Sequence, residues 1–411
     1  MRTFNLKIES ENIFTNNIIN LVSAIHEYKG KQTLYIEANH DILTSLLNIA
    51  KIQSTESSNK IEGIKTTDDR INALINDKVA PQNRNEEEIA GYRDVLELIH
   101  ENYENMDITP NIILQMHKYL YKYSSKSIGG KFKDSENIIE ELDENGNKKI
   151  RFKPLSAFET PQAMKELCTS YNSEIHTNEI DPLFLIPIFI FDFLSIHPFN
   201  DGNGRMSRLL TLLLLYKSGY IVGKYISIEK IVEKTKESYY DTLQKSSVNW
   251  HNNENNYKFF AEYYLGIILS AYKDFSNRVE YISNKKMSVK ERTETIVRNN
   301  LGKISKKEIV DMCPDVSVGS IERALNELLK DEKILKVTGG RYTKYIYVDK
   351  WKVVTLQKYY IWRVTTFLLI FVLLKLLILV THLGIEPRTA RLRVCCSTNW
   401  ANEPKNNYVK I

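Results

Sequence analysis

The chain has 411 residues, 43% of them hydrophobic. That is enough for one large domain with an appendage, because single cores stop growing near about 250 to 300 residues. A formal net charge of +5 excludes a polycation that coats nucleic acid, so any such contact must be local. The four cysteines, Cys168, Cys313, Cys395 and Cys396, show no CxxC spacing. Residues 1–15 lack the apolar core of a secretory leader, so a reducing cytoplasm is expected and a structural zinc site is not.

Residues 1–100 read as a helical region. Within it, Leu43, Leu46, Leu47, Ala50 and Ile52 recur at helical spacing and predict one long helix over 39–62, capped by Asn39 or Asp41 and ended by Gly63. Residues 101–280 read as the core. Helical patterns over 85–104, opening on a glutamate-rich turn, and over 111–123 lead into it. Between 129 and 154 the pattern changes to two short extended runs about Asn145-Gly146, a hairpin signature. Helices over 161–176 and 182–196 follow. The second is apolar almost all round yet, at 15 residues, too short to span a bilayer, so it reads as the buried central helix. After a polar loop, 205–218 forms another apolar helix closed by Gly219.

The polar stretch 277–290 predicts a boundary. Beyond it, helices over 291–300, 306–313 and 317–331, then extended runs over 334–338 and 342–348 about Gly339-Gly340, resemble a winged helix-turn-helix within 285–350. Residues 351–411 are atypical. They hold a 17-residue apolar run, 364–380, broken by Lys375, and a stretch 383–393 that looks like a conceptual translation of structural RNA genes. The tail therefore reads either as spurious sequence or as a membrane-associated segment anchored by Trp362 and Arg363.

The chemistry lies in the polar loop between the two apolar helices. Gly202 and Gly204 allow close approach of backbone to an anion, and the following helix directs its free N–H groups at it. Asp201 is a hard oxygen ligand suited to Mg²⁺. Arg205 and Arg208 offer planar guanidinium groups for phosphate oxygens, and His197 has an ordinary pKa near neutrality, suited to a general base. The run His197-Pro198-Phe199-Asn200-Asp201-Gly202-Asn203-Gly204-Arg205-Met206-Ser207-Arg208 resembles the signature of the Fic (Fido) family. The resemblance is close over about 40–275 and looser over 285–348.

The resemblance implies a mainly α fold, with a Fic-type helical core and a small β-hairpin flap that holds a target segment by strand addition. It implies an adenylyltransferase that moves AMP from ATP, with Mg²⁺, onto a Ser, Thr or Tyr hydroxyl of a protein target or of the enzyme itself. His197 would be the base and Asp201 the metal ligand. Gly202, Asn203, Gly204, Arg205 and Arg208 would hold the phosphates, with Asn203 on the α-phosphate, and Tyr240 would contribute to the adenine pocket. A related kinase-like branch carries lysine in place of the second glycine, so Gly204 favours AMP transfer. Ser58-Asn59-Lys60-Ile61-Glu62-Gly63 resembles the family's inhibitory motif. Ser58 and Glu62 share a helical face, and Glu62 is expected to occupy Arg208.

The appended unit places Arg323, Lys330, Lys336, Arg341 and Lys344 where duplex phosphates could be met, diluted by Glu322, Glu327, Asp331 and Glu332. It reads equally as a protein-binding or homodimerising module. A reading from another class is an ATP-sensing transcription regulator that works through this unit.

Overall fold

A computed structural model of the chain describes residues 2–38, 40–124, 128–142, 148–283, 287–300, 302–337, 340 and 343–348. The hairpin turn at 143–147, Asn39, Gly339, Arg341 and the whole tail from 351, including both of its unusual stretches, lie outside the described residues. Met1–Ile346 form one compact unit; of the second, Tyr347–Ile411, only Tyr347 and Val348 are described.

Helices α1 (Leu6–Asn12), α2 (Asn16–Ala38) and α3 (His40–Ile61) open the chain. The sequence reading gave α2 no helix of its own, although Ile18, Val22 and Ile25 are spaced for one and are buried. Asn5 caps α1 by accepting the Ile8 N–H at 3.2 Å. α3 ends where Gly63 takes a left-handed φ of 81°. Helices α4 (Asp68–Asn76), α5 (Arg84–Asn102) and α6 (Pro110–Leu120) start on the capping side chains of Thr67, Asn83 and Thr109. Strands β1 (Ile139–Leu142) and β2 (Lys148–Phe152) then pair antiparallel, as the hairpin signature predicted.

Helices α7 (Thr160–Thr177), α8 (Pro182–Ile196) and α9 (Asn203–Lys217) follow. α8 has the bounds read from the sequence, and Asp181 caps it by accepting the Leu183 N–H at 2.8 Å. α9 starts two residues earlier than its apolar period, because its first turn is the polar loop itself. In α9, Leu209, Leu210, Leu212, Leu213, Leu214 and Leu215 are all 0% exposed. At ~1.5–3 kcal/mol for each fully buried side chain, this one helix supplies on the order of ten kcal/mol of apolar burial. α8 and α9 pack on each other at the centre of the molecule, and the loop joining them is thereby fixed at both ends.

Helices α10 (Ile228–Lys234), α11 (Lys236–Ser247) and α12 (Lys258–Ser283) complete the core, with α2 lying along α12. The stretch read as a polar boundary begins as the last turns of α12, where Val279 is 0% exposed. Asp192 of α8 is 1% exposed; it accepts from Trp250 Nε1 at 2.7 Å and Tyr257 Oη at 2.9 Å and pairs with Arg2 at 3.3 Å. A buried carboxylate needs such partners, and here they fasten the N-terminus to the central helix.

After α12 come α13 (Val289–Asn299), β3 (Ile304–Ser305), α14 (Lys306–Met312), α15 (Val318–Lys330), β4 (Ile334–Lys336) and β5 (Lys344–Tyr347), the strands in the order β3-β5-β4. Ser288 and Ser305 begin α13 and α14 with reciprocal capping boxes to Glu291 and Glu308. α14 sits against the core. Gln53 of α3 donates to Asp311 at 2.8 Å, Lys234 pairs with Glu308 at 2.9 Å, and Lys230 lies 3.6 Å from Asp311.

Candidate active site

His197 is the residue that closes α8. Its φ of 53° and ψ of 62° lie in the left-handed region, sparsely used by residues with a Cβ. Its Nδ1 lies 3.2 Å from the carbonyl of Leu194. A carbonyl only accepts, so Nδ1 carries the proton and Nε2 is left as the basic nitrogen. Burial pushes its pKa down to about 4, so the ring is neutral at physiological pH.

The loop after His197 is locked from within. Asn203 accepts the Phe199 N–H at 2.9 Å and donates to the Phe199 carbonyl at 2.7 Å, so both ends of its amide are on main chain. Asp201 accepts the Gly202 N–H at 2.6 Å, and Gly202 takes a φ of 85° before α9. Phe199 is fully buried and stacks on His117, ring centroids 3.7 Å apart. His117 accepts the Gly130 N–H at Nδ1, so its Nε2 proton goes to the Asp201 carbonyl at 3.1 Å. His117 carries no signal of this role in the sequence, since 84 residues separate it from Asp201 and no local spacing links them.

The two arginines part company. Arg205 is 1% exposed, pairs with Glu88 of α5 at 2.8 Å and donates to Tyr121 Oη at 2.8 Å. It thus joins α9 to α5 and α6 and does not line the cavity. Arg208 does line it. Its Nε donates to Ser58 Oγ at 2.8 Å, and one terminal nitrogen donates to the Ser58 carbonyl at 2.9 Å and to Glu62 Oε1 at 2.7 Å. The Glu62–Arg208 pair expected from the motif is therefore made, and Ser58, for which the sequence suggests no such contact, shares it. Gly204 makes room for them: a Cβ there would stand 2.3 Å from Glu62 Oε1.

These groups face a cavity of about 330 Å³ lined by Glu62, His197, Gly204, Arg208 and Tyr240 together with the β1–β2 hairpin and α11. Tyr239, Tyr240, Leu243, Gln244 and Ser247 present one face of α11 to it. Arg151 of β2 lies over the Tyr240 ring, its guanidinium carbon 5.0 Å from the centroid, and donates to the Tyr240 carbonyl. Size and apolar walls with a few convergent polar groups suit a small organic ligand. Ser58, Asp201, Gly202, Asn203 and Arg205 stand behind or beside the cavity rather than on its wall.

Asp201 is the metal-ligating candidate. Its side chain is 45% exposed, and its Oδ1 both accepts the Gly202 N–H at 2.6 Å and lies 3.7 Å from the Arg205 guanidinium. Among the described residues no group of three or more His, Cys, Asp or Glu is arranged to hold a metal. A single half-exposed carboxylate suits Mg²⁺, which keeps most of its waters and takes phosphate oxygens for the rest.

Residues 107–215 match the Fic/DOC family. The chain is 28% identical over 117 residues to protein adenylyltransferase fic-1 of Caenorhabditis elegans, covering 28% of this chain and 21% of that protein. It is 26% identical over 203 residues to protein adenylyltransferase Fic of Drosophila melanogaster, covering 48% and 37% respectively. The matched stretches thus span well under half of these relatives. The fold is shared with a Fic family protein from Desulfovibrio desulfuricans G20 at a TM-score of 0.54 and 20% identity, over 82% of this chain and 97% of that one. It is also shared with a Fic domain containing signaling protein from Bacteroides thetaiotaomicron at a TM-score of 0.52 and 22% identity, over 64% and 97%. Residues 107–215, which carry the loop that closes on His197 and the helices on either side of it, are thus similar to the Fic/DOC family.

Proposed function

We propose that this chain is a protein adenylyltransferase that transfers AMP from ATP to a Ser, Thr or Tyr hydroxyl of a protein, and that Glu62 holds it idle. The observation that carries the reading is one cavity shared by a neutral histidine with a free Nε2 and a buried arginine plugged by a glutamate. The names of the C. elegans and D. melanogaster relatives point the same way.

In this reading the target hydroxyl oxygen attacks the α-phosphorus. The bond from that phosphorus to the oxygen bridging the β-phosphate breaks, pyrophosphate leaves with the electron pair, and the hydroxyl proton passes to His197 Nε2. Arg208 grips the terminal phosphates once Glu62 is displaced, and the N–H groups at the start of α9 stabilise charge on the α-phosphate oxygens. When bound, Mg²⁺ would be held by Asp201 and would neutralise phosphate charge. Arg205 acts through Tyr121 and Glu88 by fixing the first turn of α9. The hairpin edge beside the cavity receives the target segment as an added strand. The target is an unidentified protein or the enzyme itself.

The appended elements α13 to β5 we read as a winged helix-turn-helix, on their order in the chain. A duplex-binding regulator is the weaker reading for this unit. Lys290 pairs with Glu327 and Asp331, Lys306 with Glu322, and Lys333 with Glu294, so acidic side chains of this unit offset the cations flanking the named set. Incubation of the full chain and of H197A with Mg²⁺ and ATP labelled at the α- or the γ-phosphate tests the assignment. Label on protein from the α-position alone, lost in H197A, is expected. Label from the γ-position would mean a kinase, and no label together with salt-sensitive duplex binding would favour the regulator.

A further inference from the structure

We propose that Lys133 is a positioning residue that sets the backbone of His197 and ties the foot of the hairpin to the catalytic loop. The inference rests on the reading of His197 as the base. Lys133 lies between α6 and β1, is 3% exposed, and is absent from the cavity wall, so it does not meet the substrate. Its ammonium donates to the Ile196 carbonyl at 3.1 Å, the Leu155 carbonyl at 2.6 Å and Asn137 Oδ1 at 3.0 Å. Its own main-chain N–H donates to the Pro198 carbonyl at 2.9 Å. The residues on either side of His197 are therefore held by one lysine, and His197 between them has the left-handed backbone described above. Asn137 extends the grip by donating to the Phe199 carbonyl at 3.1 Å.

The geometry explains why a cation is buried here. Three ammonium protons meet three acceptors, the full capacity of a lysine. Among the described residues no carboxylate lies within ion-pairing distance of it, and the neighbouring Glu136 and Glu159 accept instead from the Ala157 N–H and from Ser156. Burial pushes the Lys133 pKa down to about 8, so the ammonium form that supplies these donors still prevails at neutral pH. Asn137 and Leu155 stand at the two feet of the β1–β2 hairpin. A shift of the hairpin is therefore transmitted through Lys133 to the histidine on which catalysis depends.

The test compares K133M, K133R and N137A in the full chain, with two readouts. In K133M, kcat for AMP transfer should fall about a hundredfold, as misplacement of a reacting group does, while KM for ATP stays within about twofold because Arg208 is untouched. K133R, which keeps a cation and several donors, should recover most of that loss. The second readout is the imidazole ¹⁵N signal of His197, assigned by its disappearance in H197A. It should shift and broaden in K133M and N137A and return towards the wild-type position in K133R. This readout needs no turnover, so it decides the inference even if AMP transfer itself is not found. A K133M protein with wild-type kcat and an unmoved His197 signal would overturn the proposal. So would losses of equal size in K133M and K133R. Should K133M not fold, an unchanged kcat and His197 signal in N137A would overturn it as well.

Discussion

At the scale of single residues, His197 owes its protonation state to burial. Its pKa, pushed down to about 4, means that the neutral, basic form persists as pH falls well below the ordinary histidine range. Activity should therefore be lost only as pH approaches that value. The profile of kcat/KM, which reports the free enzyme, is expected to be flat between about pH 6 and 8 with its acid limb below 6. A limb centred near 6.5, the ordinary histidine value, would show that the ring is not desolvated. Once nucleotide binds, its negative phosphates favour the imidazolium, so the limb in kcat should lie at higher pH than the limb in kcat/KM. The loop from His197 to Arg208 was legible because its residues act at fixed local spacing. The partners that hold it, Glu88, His117, Tyr121 and Lys133, were not, because each arrives from a different part of the chain and carries no pattern of its own. Arg205 shows the limit: its sequence position resembles that of Arg208, and only the burial of Glu88 on α5 decides that its guanidinium turns away from the cavity.

At the scale of elements, the last turn of α3 carries Ser58 and is followed directly by Glu62, so both reach Arg208 from one helix end. The carboxylate of Glu62 is about a third exposed, so its pair with Arg208 contributes on the order of 1 kcal/mol to stability. E62G should fold with little change in Tm. Ser58 contributes a hydroxyl and a carbonyl to the same guanidinium, and S58A removes only the hydroxyl. S58A is therefore expected to raise basal AMP transfer, but several-fold less than E62G, in the α-label assay; equal effects would place the restraint on the helix rather than on the carboxylate. The bounds of α8 and the existence of the β1–β2 hairpin were readable from an apolar run and from turn chemistry. α2 and α4 went unread, although α2 has a short apolar period, Ile18, Val22 and Ile25.

At the scale of the whole molecule, the elements after α12 reach back to α3. Asp311 accepts from Gln53 of α3, lies 3.6 Å from Lys230, and its carbonyl accepts from Arg278. D311A removes the side-chain contacts and should loosen α3, raising basal transfer a few-fold in the wild-type background while adding nothing to E62G. Additive effects in the double variant would mean that the contact acts elsewhere. Among the described residues no helix is long and apolar enough to cross a membrane.

If Glu62 restrains a cavity that is otherwise ready to transfer AMP, its removal must release activity that still depends on His197. Transfer from α-labelled ATP should be compared in wild type, E62G and E62G/H197A at equal protein and Mg²⁺. At least about tenfold more protein-bound label is expected in E62G than in wild type, the effect of freeing an arginine that can grip phosphate bidentately, and none in the double variant. Equal labelling of wild type and E62G, or label that survives the loss of His197, would contradict it.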